Sequence, residues 1–188
     1  AIALNPDFAG SHYNLGVTLK ELGKLNEAEL SFRHAIALKP GYVEAHNNLG
    51  ITYQELGKLD EAESSYRQAI ALKPDYAEAH YNLGITLQEL GRYVEAEVNF
   101  RQVVALKPDY AEAQSNLANI LLELGRYDEA EVNYRQAIAL KPDYAEAHYN
   151  LAVTLKELGN LDEAESSYRQ AIALKPDYVE AHSSLGNI

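Results

Sequence analysis

The sequence predicts an all-α solenoid of antiparallel helix pairs, and three observations predict it. One pattern of 34 residues recurs down the chain without an insertion. Every proline falls at one phase of that pattern: Pro6, Pro40, Pro74, Pro108, Pro142 and Pro176. Nine of the eleven glycines fall at two more phases, Gly16, Gly50, Gly84 and Gly186, then Gly23, Gly57, Gly91, Gly125 and Gly159. A period of this size marks a solenoid, in which each repeat buries its apolar face only by stacking on its neighbours. The chain therefore reads as one array over residues 1–188. Full repeats cover 9–42, 43–76, 77–110, 111–144 and 145–178, with partial repeats over 1–8 and 179–188.

The elements of one repeat follow in order along residues 77–110. His80, Leu83, Gly84, Leu87 and Leu90 recur at steps of three and four, which is one stripe of a first helix. Gly91 then stands where a left-handed C-terminal cap is needed. Tyr93, Ala96, Phe100, Val103, Val104 and Leu106 form the stripe of a second helix. Lys107 suits the negative end of that helix, and Pro108 stops its continuation. The short connections make the two helices antiparallel.

Start signals accompany both helices. Asp75 with Glu78 has capping-box spacing, with Asp in place of Ser or Thr, and Asp109/Glu112, Asp143/Glu146 and Asp177/Glu180 repeat it. Asp60/Glu63, Asp128/Glu131 and Asp162/Glu165 predict the same device on the second helix, and Val94 breaks that series. A lone repeat buries too little apolar surface to offset the entropy of ordering it. Stacking is obligatory, and both ends of the array are expected to expose apolar faces.

Composition narrows the partners. Lys plus Arg is 16 against 28 acidic residues, a net charge of -12. A protein that tracks phosphates needs a basic face to displace counterions, so nucleic acid and anionic membrane are not expected partners. With no cysteine, disulfides and thiolate chemistry are excluded while the compartment stays open, the cytoplasm being favoured. The longest apolar runs, such as Val103 to Leu106, are far too short to span a bilayer. No basic-then-apolar signal opens the chain. The chain also has no methionine, its first residues match the end of a repeat and its last match the start of one, which reads as a segment of a longer array.

At these spacings Leu83-Gly84, Leu87, Ala96, Phe100 and Pro108 resemble the tetratricopeptide repeat (TPR). The resemblance covers the whole chain and implies a right-handed superhelix of helical hairpins. The departures are a His at position 4 in place of a bulky aromatic, Ala118 and Ala152 in place of the first-helix glycine, and Val103 in place of a small residue. Pentatricopeptide repeats are close in length and bind RNA, but the acidic charge and the Leu-Gly pair argue against them. The A-E-A-H-x-N-L-G/A wording is similar to repeats that precede the catalytic region of O-linked N-acetylglucosamine transferases and to bacterial repeat proteins.

The resemblance implies a concave groove lined by first helices, with positions 2, 5, 6, 9, 12 and 13 facing it. Position 6 is Asn14, Asn48, Asn82, Asn116 and Asn150, then Ser184. An amide side chain is donor and acceptor together, which suits the main chain of an extended peptide. The alternative is a row of solvated polar residues. Five hydrogen bonds at ~0.5–1.5 kcal/mol each compare poorly with an association cost of ~4–15 kcal/mol, so the Asn row alone does not bind tightly. Position 9 supplies Val17, Ile51, Ile85 and Val153, interrupted by Asn119, either as an apolar strip for the ligand or as packing against the adjoining helix.

Positions 5 and 12 vary, with Tyr13, Asn47, Tyr81, Ser115 and Tyr149 at one and Lys20, Gln54, Gln88, Leu122 and Lys156 at the other. Tyr81, Tyr149 and Leu122 are the expected selectivity residues. Gln114, Ser115, Asn119, Ile120 and Leu122 gather in one first helix, as a local pocket or as older divergence. Glutamates at position 13 (Glu21, Glu55, Glu89, Glu123, Glu157) and position 2 (Glu44, Glu78, Glu112, Glu146, Glu180) make the groove acidic and favour neutral or basic ligands.

Other constellations carry no chemistry. His12, His46, His80, His148 and His182 share one phase, so successive rings lie roughly 10 Å apart at helix spacing, far beyond the ~2.0–2.1 Å at which imidazole ligates zinc. Core packing is the expected role. Arg33, Arg67, Arg101, Arg135 and Arg169 each follow a Glu by four residues, the pattern of a solvated paired face. The Lys and Asn clamp by which related repeats hold acidic chaperone tails is missing. There is no phosphate loop, nucleophile elbow or metal triad, so neither an enzyme nor a cofactor is expected. The expected function is protein–protein recognition of an extended segment. The alternatives are a recruiting arm of a larger glycosyltransferase-type enzyme, or a structural spacer that self-associates end to end.

Overall fold

A computed structural model describes residues 8–188. The first partial repeat up to residue 7, with Pro6, lies outside the described residues. Every element among the described residues is helical: α1 (Ala9–Glu21), α2 (Leu25–Leu38), α3 (Val43–Glu55), α4 (Leu59–Leu72), α5 (Ala77–Glu89), α6 (Tyr93–Leu106), α7 (Ala111–Glu123), α8 (Tyr127–Leu140), α9 (Ala145–Glu157), α10 (Leu161–Leu174) and α11 (Val179–Leu185). They form two compact units, Ala1–Arg92 and Tyr93–Ile188. In the N-terminal unit α1 pairs with α2 and α3 with α4, and each second helix packs on the next first helix. The C-terminal unit repeats this arrangement from α6 to α11.

Glycine closes every hairpin by the same hydrogen bonds. Gly57 has φ 73°, and its N–H bonds Gln54 O at 2.9 Å while Lys58 N–H reaches back to Tyr53 O at 2.8 Å. These two bonds satisfy carbonyls that the helix end leaves orphaned. Gly23, Gly91, Gly125 and Gly159 have φ between 71° and 80°.

The predicted capping boxes do not form. The residue preceding α5 is Tyr76 and that preceding α4 is Lys58, and neither side chain caps its helix. Asp75 thus stands one position too early, and Asp60 lies inside the first turn of α4. The acids act there as charges near a positive helix end rather than as reciprocal caps. At the other end, the lysines that follow α2, α4, α8 and α10 fold onto the tyrosine before the next first helix. Lys39 Nζ lies 4.6 Å from the Tyr42 ring centre, and Lys175 Nζ 4.6 Å from that of Tyr178.

The core is built from small and aromatic side chains in alternation. Ala62, Tyr66 and Ala69 of α4 are fully buried, as are Ala28, Phe32 and Ala35 of α2. Such contact needs a first helix without a bulky residue opposite the ring. A Cβ on Gly50 would stand 2.5 Å from Tyr66 Cε1, and one on Gly16 would stand 2.7 Å from Phe32 Cε1. In the C-terminal unit Ala118 and Ala152 occupy the equivalent phase and are themselves fully buried, so those rings seat to admit a methyl. Among the described residues, no buried side-chain nitrogen or oxygen lacks a partner.

Two glycine replacements separate these roles. Gly50→Ala should displace the buried Tyr66 ring and lower stability by about 1–2 kcal/mol, overpacking outweighing alanine's helix preference. Gly57→Ala has open space around it and should lose about 1 kcal/mol through its left-handed backbone alone. Urea midpoints of the two variants measure both.

Candidate functional site

In the N-terminal unit, α1, α3 and α5 lie side by side and bring their matching positions into rows. Asn48 and Asn82 are half-buried and Asn14 is exposed. Asn48 Nδ2 donates to Tyr13 Oη at 3.2 Å and to the Glu44 carbonyl at 2.9 Å, which engages both of its hydrogens. Asn82 Nδ2 donates to Asn47 Oδ1 at 3.1 Å. The Asn row therefore fastens α3 to α1 and α5 to α3, a role that sequence reasoning missed. The signal was available as a separation of 35 residues between position 5 of one repeat and position 6 of the next.

Beside that row, Val17, Ile51 and Ile85 are half-buried. Val17 packs against the cluster of Leu19, Phe32 and Leu49. The strip is thus part packing and part free surface. Glu21, Glu55 and Glu89 are exposed along one edge. Gln54 is held in place, since its Nε2 donates to Glu89 Oε1 at 2.9 Å and its Oε1 accepts from Tyr66 Oη at 3.2 Å.

The C-terminal unit builds the same face with different residues. Asn150 Nδ2 donates to Asn119 Oδ1 at 3.0 Å, and that oxygen also accepts from the buried Tyr134 hydroxyl at 2.6 Å. Asn119, which interrupts the apolar row, is therefore a hub joining α7, α8 and α9. Ser115 and Gln114 are buried rather than lining an open pocket, while Asn116 and Leu122 are half-buried. Val153 packs partly on the cluster of Ala152, Tyr168 and Ala171. Tyr149 is half-buried between Tyr168 and Tyr178, with ring centres at 5.6 and 5.0 Å. Burial, with Glu146 nearby, pushes the Tyr178 phenol up to about 12. Tyr81 stands half-buried at the matching phase of α5. Position 5 thus supports the fold as well as offering a surface.

The histidines are not core residues. His46, His80, His148 and His182 each donate Nε2–H to the carbonyl of the proline six residues earlier, at 2.9 to 3.0 Å. They tie the loops before α3, α5, α9 and α11 to the helices that follow. None of the described residues forms a group of three or more His, Cys, Asp or Glu able to hold a metal. No helix among them is long and apolar enough to cross a membrane.

A family model described as TPR repeat matches residues 18–57, 53–91 and 118–159. Models described as tetratricopeptide repeat match 87–132, 145–178 and 1–29. The chain belongs to the tetratricopeptide repeat family. No curated protein sequence matches it. The crystal structure of YrrB, described as a TPR protein with an unusual peptide-binding site, is similar with TM-score 0.87 and 24% identity, over 98% of this chain and 95% of that one. A crystal structure of MamA is similar with TM-score 0.83 and 23% identity, over 92% and 94%. MamA from Desulfovibrio magneticus RS-1 gives TM-score 0.84 and 19% identity, over 91% and 97%. At these identities the likeness shows the fold, an all-α TPR solenoid.

The second helices of this TPR chain carry an ion network that the sequence showed only in part. Arg33, Arg67, Arg101, Arg135 and Arg169 do pair with the Glu four residues earlier. The carboxylates, however, are not solvated: Glu29, Glu63 and Glu97 have side chains only 13 to 14% exposed. Each takes a second cation from the next repeat, Lys58 at 2.8 Å, Arg92 at 2.7 Å and Arg126 at 2.7 Å. The bond from Lys58 holds Glu29 below the usual carboxylate range. Burial alone would raise Glu97, but bonds from Arg101 and Arg126 outweigh it and hold it low. Asn160 stands at the cation's position in the last full repeat, and the corresponding Glu131 is 23% exposed.

Two outcomes follow. Carboxylates lowered in the folded state stabilise it above their unfolded value of ~4.3, and that stabilisation is lost as pH falls through the folded value. Thermal melts should decline below about pH 4.5. The double variant Glu29→Gln/Glu97→Gln should be less stable at pH 7 and show a shallower acid decline. Asn160→Arg should give Glu131 its second cation and stabilise the chain by about 0.5–1 kcal/mol, measured as a rise in Tm that 1 M salt reduces.

Proposed function

We propose that this chain is a protein-interaction scaffold, and that the first-helix face of each unit takes an extended, neutral to basic segment of a partner protein. The observation that carries the reading is the row of half-exposed Val17, Ile51 and Ile85 running between the Asn row and the exposed Glu21, Glu55 and Glu89. Apolar contact supplies affinity there, and the carboxylates steer cationic segments and repel acidic ones. Asn48 has both hydrogens engaged within the protein, so it meets a ligand through its Oδ1 and accepts from main-chain N–H groups. Asn14 and Asn82 belong to the same row in the N-terminal unit, and Asn116 and Asn150 take the same role in the C-terminal unit. Val153 supplies apolar contact in the C-terminal unit, and Tyr81, Tyr149 and Leu122, at positions that vary among the repeats, set selectivity.

The peptide site described for YrrB supports the reading, as does membership of a family of helical-repeat scaffolds. Cytoplasmic residence and end-to-end association belong to the same proposal. The array positions a partner and performs no catalysis.

Peptide display on the intact chain, counter-screened on Ile51→Ala/Ile85→Ala, tests this. Peptides sharing a motif with basic and apolar residues should be enriched, and the double variant should bind them at least about tenfold more weakly, since truncating two contact residues removes ~1.4 kcal/mol or more. Equal binding by the variant, with unchanged helicity and Tm, would refute the role of this face.

A further inference from the structure

In the N-terminal unit α3 carries Glu44, Asn48, Ile51 and Glu55. Their steps of four, three and four place all of them on one stripe of the helix. Glu44 and Glu55 close the two ends of that stripe, about 16 Å apart at ~1.5 Å per residue. α5 repeats the stripe as Glu78, Asn82, Ile85 and Glu89, and α1 as Gly10, Asn14, Val17 and Glu21. With the three helices side by side, the face is a channel with an acidic edge on either side. Gly10 is the one position where an edge lacks its acid.

The unit places its cations elsewhere. α3 and α5 contain no lysine or arginine, and α1 contains Lys20 alone. Glu21, Glu44 and Glu89 are exposed, and among the described residues no lysine or arginine pairs with them. Glu89 accepts one bond, from Gln54 to its Oε1, which leaves Oε2. The second-helix carboxylates Glu29 and Glu63, by contrast, each take two cations. Burial first, and the charge of Glu44 second, push the Tyr13 phenol of α1 above its ordinary value, so the field of one helix reaches its neighbour. In the C-terminal unit Lys141 closes on Glu112 at 2.9 Å, and Asn119 breaks the apolar strip. The full arrangement belongs to the N-terminal unit.

An extended segment crossing the three helices rises ~3.3 Å per residue. Neighbouring helices lie roughly 10 Å apart, so about three residues pass per helix. Side chains of such a segment alternate between two directions. Because three is odd, a side chain facing one acidic edge at α1 is followed, three residues on, by one facing the other edge at α3. Given the peptide-binding role proposed above, we propose that this face selects a segment with lysine or arginine at every third residue. Glu21, Glu44 and Glu89 bond these cations alternately across the channel. The opposite phase meets Gly10, Glu55 and Glu78 and lacks an acid at α1. Half the channel is ~8 Å, a span that long cationic side chains cover. The stems bound for Glu21 and Glu89 lie over Val17 and Ile85, which gives the apolar strip its part in the same contact.

Fluorescence anisotropy on the intact chain reads the selection, using short labelled peptides of one composition. Three arginines stand every third residue, every second residue or consecutively, among valine and serine. Every-third spacing should bind at least about fivefold more tightly than the others, and added salt should narrow the difference. Glu21→Gln/Glu44→Gln/Glu89→Gln should abolish the preference, while Glu55→Gln/Glu78→Gln, which removes the opposite phase, should keep it. All five glutamates are exposed, and Tm checks that both variants fold. Equal binding at every spacing, or equal loss in the two variants, would overturn the spacing rule. If that binding still weakens with Ile51→Ala/Ile85→Ala, the peptide site stands and the rule alone fails. Binding of none of the peptides would overturn both.

Discussion

Everything in this molecule depends on one requirement: a helix pair of this size cannot bury its own apolar face and must borrow the face of its neighbour. Each second helix sets an aromatic ring, Phe32, Tyr66, Phe100, Tyr134 or Tyr168, where it is closed off from water. That demand dictates the small residues opposite the ring, the left-handed glycine that reverses the chain, and the proline that ends the second helix. Polar groups are then fitted around the stack. Asn48 and Asn82 link first helices, and the doubly bridged Glu29, Glu63 and Glu97 link second helices. Bridged carboxylates this close to buried are worthwhile only where two cations compensate the lost hydration. Lys58, Arg92 and Arg126 meet that condition.

Much of the fold was legible in the sequence because the repeat prints the same constraint several times. Proline and glycine phases gave the helix ends, and the apolar stripes gave the buried faces. The capping boxes were misread because spacing alone cannot distinguish Asp at the helix boundary from Asp one residue outside it, and the chain turns into α5 and α7 at Tyr76 and Tyr110. The histidines were misread for a related reason. A residue at a core phase can still lie at the rim, and there its ring reaches a proline carbonyl.

The candidate site was less legible than the fold. Rows of identical residues declare that a face exists, but not which atoms on it are free. Asn48 shows why: its donors are engaged by Tyr13 and by its own helix, so the surface it presents is an oxygen rather than an amide of both characters. Asn119 looked like an interruption and is a junction for Tyr134 and Asn150. The C-terminal unit thus replaces an apolar contact with a half-buried polar node, at the cost of a gap in the strip.

The cross-repeat bonds also share a numerical property. Asn48 and Asn82 reach back 35 residues, and Lys58, Arg92 and Arg126 reach back 29. Where these separations repeat from one hairpin to the next, excising or duplicating a whole period returns the donor to the matching position of a neighbouring repeat. Recombination within such a gene can therefore lengthen or shorten the protein without inventing a new interface. The reach of the molecule is then free to change while its local chemistry stays the same.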